Sequence, residues 1–94
     1  MADLQRIFVR VVGRVQGVGF RFFTHRAAQR AGLVGFVRNV ANGDVEIEAQ
    51  GLRTDVEGFL EQVRRGPSAS RVRRVDVHDR PVLPGETTFE IRHF

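Results

Sequence analysis

The sequence predicts an α+β fold, a sandwich in which a mostly antiparallel sheet carries two helices on one face. Three observations support this. Apolar residues alternate with period two in several short stretches, and two longer segments carry them at helical spacing. The two kinds of segment follow one another as β-α-β-β-α-β, with a further short strand at the end. The chain of 94 residues is long enough for one domain and too short for two, so a single domain over residues 1–94 is expected.

The elements are justified in order. Ile7, Val9 and Val11 fall on one face of a strand over residues 7–12, with Phe8, Arg10 and Val12 on the other. Gly13-Arg14-Val15-Gln16-Gly17-Val18-Gly19 is too rich in glycine for a regular element. Phe20, Phe23, Ala27, Ala28 and Ala31 then fit one face of a helix, and Gly32 suits its left-handed terminus. A second strand runs over Leu33 to Val40. Asn42-Gly43 signals a hairpin with a type I′ turn, whose two central residues need positive φ.

The third strand, Val45 to Ala49, places Val45, Ile47 and Ala49 inward and Glu46, Glu48 and Gln50 outward. Thr54-Asp55-Val56-Glu57 reads as a capping box that opens a helix. Val56, Phe59, Leu60 and Val63 form its apolar face, and Gly66-Pro67 ends it. A fourth strand covers Arg71 to His78, where Val72 is out of phase with Val75 and Val77 and marks a bulge. Pro81 to Gly85 is a turn region, and Thr87 to Arg92 is the last short strand. Two crossovers joined by a hairpin give the ferredoxin-like plan, and right-handed crossovers put both helices on one face. That plan hosts many unrelated activities, so function must come from the residues.

Composition narrows the chemistry. There is no cysteine, which excludes disulfides, thiolate metal sites and cysteine nucleophiles. All 15 basic residues are arginine, so a Walker-type phosphate loop and Schiff-base chemistry are excluded too. Tyrosine and tryptophan are absent, leaving 8 phenylalanines as the aromatic set. The net charge of +4 favours an anionic partner or substrate without saying which. No apolar run approaches the roughly 20 residues of a membrane span, and Met1 to Arg6 lacks the apolar core of a signal peptide. A soluble, cytoplasmic protein without membrane contact is expected. His25, His78 and His93 are scattered, so no metal site is expected.

The informative segment joins the first strand to the first helix. Consecutive amides of a glycine-rich turn can converge on an anion, and the adjoining helix N-terminus adds unpaired donors and positive dipole. Gly17 and Gly19 allow close backbone approach, while Arg21 offers charge and two directed hydrogen bonds. An ordinary βα turn with a solvated arginine accounts for the same residues, and residue chemistry alone leaves both readings open. Asn39, at a strand end, is by residue type a turn former. The dinucleotide fingerprint requires a different glycine spacing and a later acidic residue.

The string GRVQGVGFRFFT, followed by AGLVGFVRNVANGDVEIEAQG, GPSASRV and the ending FEIRHF, resembles the acylphosphatase family over nearly the whole chain. The resemblance implies a small ferredoxin-like enzyme that hydrolyses the carboxyl-phosphate bond of acyl phosphates without metal or cofactor. It implies that Val15, Gln16, Gly17, Val18, Gly19 and Phe20 form the phosphate-binding loop. By the same resemblance Arg21 binds the phosphate and Asn39 orients the attacking water. The departures are mild. Phe36 replaces a tryptophan, Val40 stands where some members carry threonine, and Gly19 occupies a position that is often bulkier.

The chemistry agrees with what the chain lacks. An acyl phosphate expels a carboxylate whose conjugate acid has a pKa near ~4, so no general acid is needed. An alkyl phosphate would call for an acid or a metal. A phosphohistidine at His25, one helical turn beyond Arg21, would need an activating partner, so a helix-surface histidine is expected. Inorganic phosphate and sulfate should compete for the loop, and the chain is expected to act as a monomer. The rival of another class is an RNA-binding ferredoxin-like module, suggested by Arg64-Arg65 and Arg71, Arg73 and Arg74. Its aromatic motif belongs on the third strand, whereas Phe36 lies on the second. Glu46 and Glu48 are expected to face the open sheet and repel nucleic acid. A third reading, the acylphosphatase-like domain of hydrogenase-maturation carbamoyltransferases, would be expected to continue into zinc-binding or transferase segments. Acetyl phosphate, carbamoyl phosphate and 1,3-bisphosphoglycerate would present the same phosphate to the loop.

Overall fold

The computed structural model describes residues 3–93, so Met1, Ala2 and the closing Phe94 of FEIRHF lie outside the described residues. The elements are β1 (Leu4–Arg14), α1 (Phe20–Arg30), β2 (Val34–Asn39), β3 (Val45–Leu52), α2 (Arg53–Arg65), β4 (Arg71–Arg80) and β5 (Phe89–Arg92). They form one sheet in the order β4-β1-β3-β2-β5. β3 lies between β1 and β2 and is antiparallel to both, which makes each β-α-β crossover split. β5 adds to β2 in parallel, so the sheet is mixed at that edge alone among its described pairs.

Strand alternation divides the residues between two faces. Val9 pairs with Ile47, and Ile47 with Val37; Val11 pairs with Val45, and Val45 with Asn39. Those side chains share the buried face with Phe20, Ala27 and Ala28 of α1 and Val56, Phe59 and Val63 of α2. Asn39 therefore ends the row of inward positions at the same sheet end as the β1–α1 loop. The out-of-phase Val72 is explained by a register shift, since Val12 faces Arg74 but Gly13 faces Val72, which leaves Arg73 as the extra residue.

Three local expectations are corrected. The β2–β3 connection is not a type I′ turn, because no described non-glycine residue has positive φ. Instead the Val40 N–H donates to the Asp44 carbonyl at 3.0 Å and the Gly43 N–H to the Val40 carbonyl at 3.1 Å. Residues 41–43 form the loop, and only Gly43, at φ 98°, takes the left-handed position of a three-residue hairpin. The Thr54 capping box does not form either. Leu4 pairs with Leu52, so β3 stays extended up to the first helical residue, Arg53. The Arg53 N–H then donates to the Asp3 carbonyl at 2.9 Å, and its guanidinium meets the Asp3 carboxylate at 2.7 Å. The chain start caps α2 in place of Thr54.

The open face is the third correction. Glu46 is buried, bridging Arg10 at 3.4 Å and Arg38 at 2.8 Å, while Glu48 accepts from Arg6 Nε at 2.8 Å. These carboxylates are neutralised by neighbouring strands and are not a free acidic surface. Arg6 is itself buried and also contacts Glu86 and Gln50. Burial alone would lower its pKa, but the hydrogen bonds to Glu86 and Glu48 outweigh it and leave the guanidinium more firmly charged than usual. Gln50 exchanges two hydrogen bonds of 2.9 Å with the Leu83 backbone, so the segment before β5 is strapped across this face.

Candidate active site

The loop after β1 is built to curl. Val15 is buried and anchors its start, while Gly17 and Gly19 take φ of 74° and 79°. A Cβ at either glycine would meet nothing within 4 Å, so glycine is required there by backbone angle and not by space. Gly19 is the N-cap of α1, and its carbonyl accepts the Phe23 N–H at 2.9 Å. No side chain caps this helix end and no acidic residue stands in its first turn. The amides of the first turn, which have no intrahelical acceptor, thus keep their positive field for a ligand.

A pocket of ≈ 240 Å³ opens at this helix end. Val15, Gly17, Gly19, Phe20, Arg21 and Asn39 all line it, joined by Phe22 from α1 and by Ile91 and His93 from the chain end. Gln16 and Val18 do not line it. Gln16 Nε2 donates to the carbonyls of Val40 at 2.7 Å and Asp44 at 2.8 Å, tying the loop to the β2–β3 hairpin. Val18 packs against the core. Those two residues shape the loop from behind.

Among the described lining residues Arg21 is the one charged side chain whose charge is independent of pH, and none of them is a carboxylate. Its Nη1 lies 3.3 Å from the Arg92 carbonyl and 3.0 Å from His93 Nδ1. Asn39 Oδ1 is buried without a hydrogen-bond partner among the described residues. A buried amide oxygen of this kind is costly unless something donates to it. The arrangement brings together one guanidinium, the unpaired amides of a helix N-terminus and a neutral side-chain amide.

His93 and Ile91 were missed by sequence reasoning. Their signal was the inward phase of Phe89, Ile91 and His93, which needed the parallel β2–β5 register, Val37 opposite Ile91, to acquire meaning. His25 is outside the pocket; half-buried, its ring packs 6.2 Å from that of Phe89. The aromatics of the open face are covered by arginines, Arg92 over Phe36 at 4.1 Å and Arg80 over Phe8 at 4.9 Å. Among the described residues, no three or more His, Asp or Glu side chains group to hold a metal ion. Among the described residues no helix is long and apolar enough to cross a membrane.

The family model and the curated relatives agree with one another. The family model described as Acylphosphatase matches residues 7–91. An acylphosphatase of Bifidobacterium longum is 49% identical over 82 residues, covering 87% of this chain and 84% of its own. One of Geobacillus thermodenitrificans is 41% identical over 90 residues, covering 96% of each. The crystal structure of acylphosphatase from Bacillus subtilis superposes with a TM-score of 0.90 at 38% identity, covering 94% of this chain and 98% of that one. Nothing in these comparisons favours the RNA-binding alternative.

Proposed function

The chain belongs to the acylphosphatase family, is an acylphosphatase, and from that premise we propose how its residues divide the work. Arg21 and the amides of the loop from Val15 to Phe20 bind the phosphoryl oxygens. Asn39 holds a water molecule beside the phosphorus, its Oδ1 accepting a hydrogen bond from one water O–H. The water oxygen forms a new bond to phosphorus while the bond from phosphorus to the acyl oxygen breaks. The carboxylate leaves with the electron pair, and the water proton passes to a phosphoryl oxygen.

The observation that carries this reading is the convergence of Arg21, Asn39 and the two left-handed glycines on one pocket that has no carboxylate among its described lining residues. Phosphoryl transfer asks mainly for positioning and charge stabilisation, and a carboxylate with a conjugate-acid pKa near ~4 departs without protonation. The reaction therefore proceeds without metal or cofactor, and we place it on a monomer in the cytoplasm. Inorganic phosphate and sulfate compete because the loop reads a tetrahedral oxyanion first. The test is turnover of benzoyl phosphate in excess chelator, with a phosphomonoester as control. Turnover of the acyl phosphate alone, inhibited competitively by phosphate, is expected. Loss of activity on chelation, restored by added metal, overturns the metal-free mechanism.

A further inference from the structure

A second groove opens beside the phosphate pocket. Its volume is ≈ 420 Å³, and it is lined by Gly19, Phe22, Phe23, Arg26, Arg30 and Pro67. Gly19 and Phe22 line the phosphate pocket as well, so the two share a wall. The α1 residues among them recur at helical intervals of three and four and make one face of the helix.

The chemistry of this face is distinctive. Phe22 is 60% exposed, a large aromatic surface left in water at the mouth of the site. The Arg26 guanidinium carbon lies 5.8 Å from its ring centroid, within range of cation–π attraction. Arg30 donates to Gln62 at 3.2 Å, a neutral partner. None of the described residues lining the groove is a carboxylate. It joins an apolar floor to two positive charges, neither of which forms an ion pair among the described residues.

We propose that this groove is the leaving-group subsite, taking the acyl part of the substrate with its apolar body on Phe22 and an anionic distal end at Arg26 and Arg30. The inference rests on the acyl phosphate reading of the neighbouring pocket. In-line displacement sets the leaving oxygen opposite the attacking water. With the water held at Asn39, the wall that leads out of the pocket into the groove is the one made by Gly19 and Phe22, which line both. The preferred substrates are acyl phosphates that carry a second negative charge beyond an apolar or aryl segment.

The experiment compares two rigid substrates of equal shape, 4-carboxybenzoyl phosphate and 4-carbamoylbenzoyl phosphate, with benzoyl phosphate as reference. The wild type should show kcat/KM about threefold or more higher for the carboxylate than for the amide, the size expected of exposed ion pairs. The preference should reside in KM and shrink in high salt. In the double variant Arg26→Gln/Arg30→Gln it should vanish, while kcat on benzoyl phosphate and inhibition by inorganic phosphate stay at wild-type values. Both arginines are exposed, so circular dichroism should report an unchanged fold. Equal kcat/KM for the two substrates in the wild type, or a preference that survives in the double variant, overturns the subsite while leaving the phosphate pocket standing. Absence of turnover on all three would instead sink the acyl phosphate reading, and the subsite with it.

Discussion

Arg21 Nη1 and His93 Nδ1 lie 3.0 Å apart although 72 positions separate them in the chain. A guanidinium only donates, so in this contact His93 Nδ1 takes the acceptor role. The Arg92 carbonyl, at 3.3 Å, is the second and longer tether. The last residue of β5 and the residue after it therefore hold the Arg21 guanidinium in place at the pocket.

His93→Ala should lower kcat/KM on benzoyl phosphate by about 2- to 10-fold, the range of one lost, solvent-exposed hydrogen bond. Asn at the same position carries an acceptor near the place of Nδ1 and should recover most of the loss. Unchanged kinetics in His93→Ala would show that Arg21 needs no support from the chain end.

Arg21→Lys should fail nearly as badly as Arg21→Ala. An ammonium keeps the charge but loses the planar fork, so it cannot hold two phosphoryl oxygens while tethered to Arg92 and His93. By analogy with removal of an oxyanion donor, the cost is about 2–4 kcal/mol of transition-state stabilisation. Steady-state kcat/KM for both variants decides it. A lysine variant with most of its turnover would reduce Arg21 to general electrostatics.

Much of this architecture is legible in local sequence because local alternation suffices for it. Ile7, Val9 and Val11 reach the core as their period implies, and Val56, Phe59 and Val63 form the inner face of α2. What is not legible depends on partners distant in the chain. Thr54 satisfies a local capping rule, yet pairing of Leu4 with Leu52 decides where the helix begins. Glu46 and Glu48 look solvated until Arg6, Arg10 and Arg38 arrive from adjacent strands. Arg21 and Asn39 stand out through family resemblance, whereas residue chemistry alone leaves Asn39 a turn former. His93 gains a role only once β5 is laid parallel to β2.

The contact that starts α2 predicts a pH dependence. The Asp3 carboxyl is held below its ordinary value of 3.8 by hydrogen bonding to Arg53 and by its charge. A carboxyl with a lowered folded pKa contributes stability above the unfolded pKa and loses it as pH falls through the folded one. Asp3→Asn should thus have a slightly lower thermal midpoint than wild type at pH 7, and the two midpoints should converge in acid below that range. The contact is exposed, so the effect is small and should also shrink with salt. Equal midpoints at pH 7, or a gap that persists in strong acid, would show that the ion pair adds nothing.

Asn39→Asp isolates chemistry from structure with almost no change in volume. Were Asn39 only the end of β2, aspartate would serve about as well, since both residues favour turns. The amide, however, lines the same pocket as Arg21, and its Oδ1 has no partner among the described residues. A carboxylate there places negative charge beside the incoming phosphate and gives Arg21 an internal partner that competes with substrate. At roughly 4 Å and an effective dielectric near 20, like charges repel by about 4 kcal/mol. The folded state gains an ion pair to offset burial of the charge, so the thermal midpoint should stay near that of wild type. Turnover on benzoyl phosphate should fall by roughly two orders of magnitude or more, and inhibition by inorganic phosphate should weaken in parallel. That second effect separates charge repulsion from simple loss of the water contact, because phosphate binding needs no attacking water. A normally folded Asn39→Asp protein with near-normal turnover would return Asn39 to the role of a strand terminator.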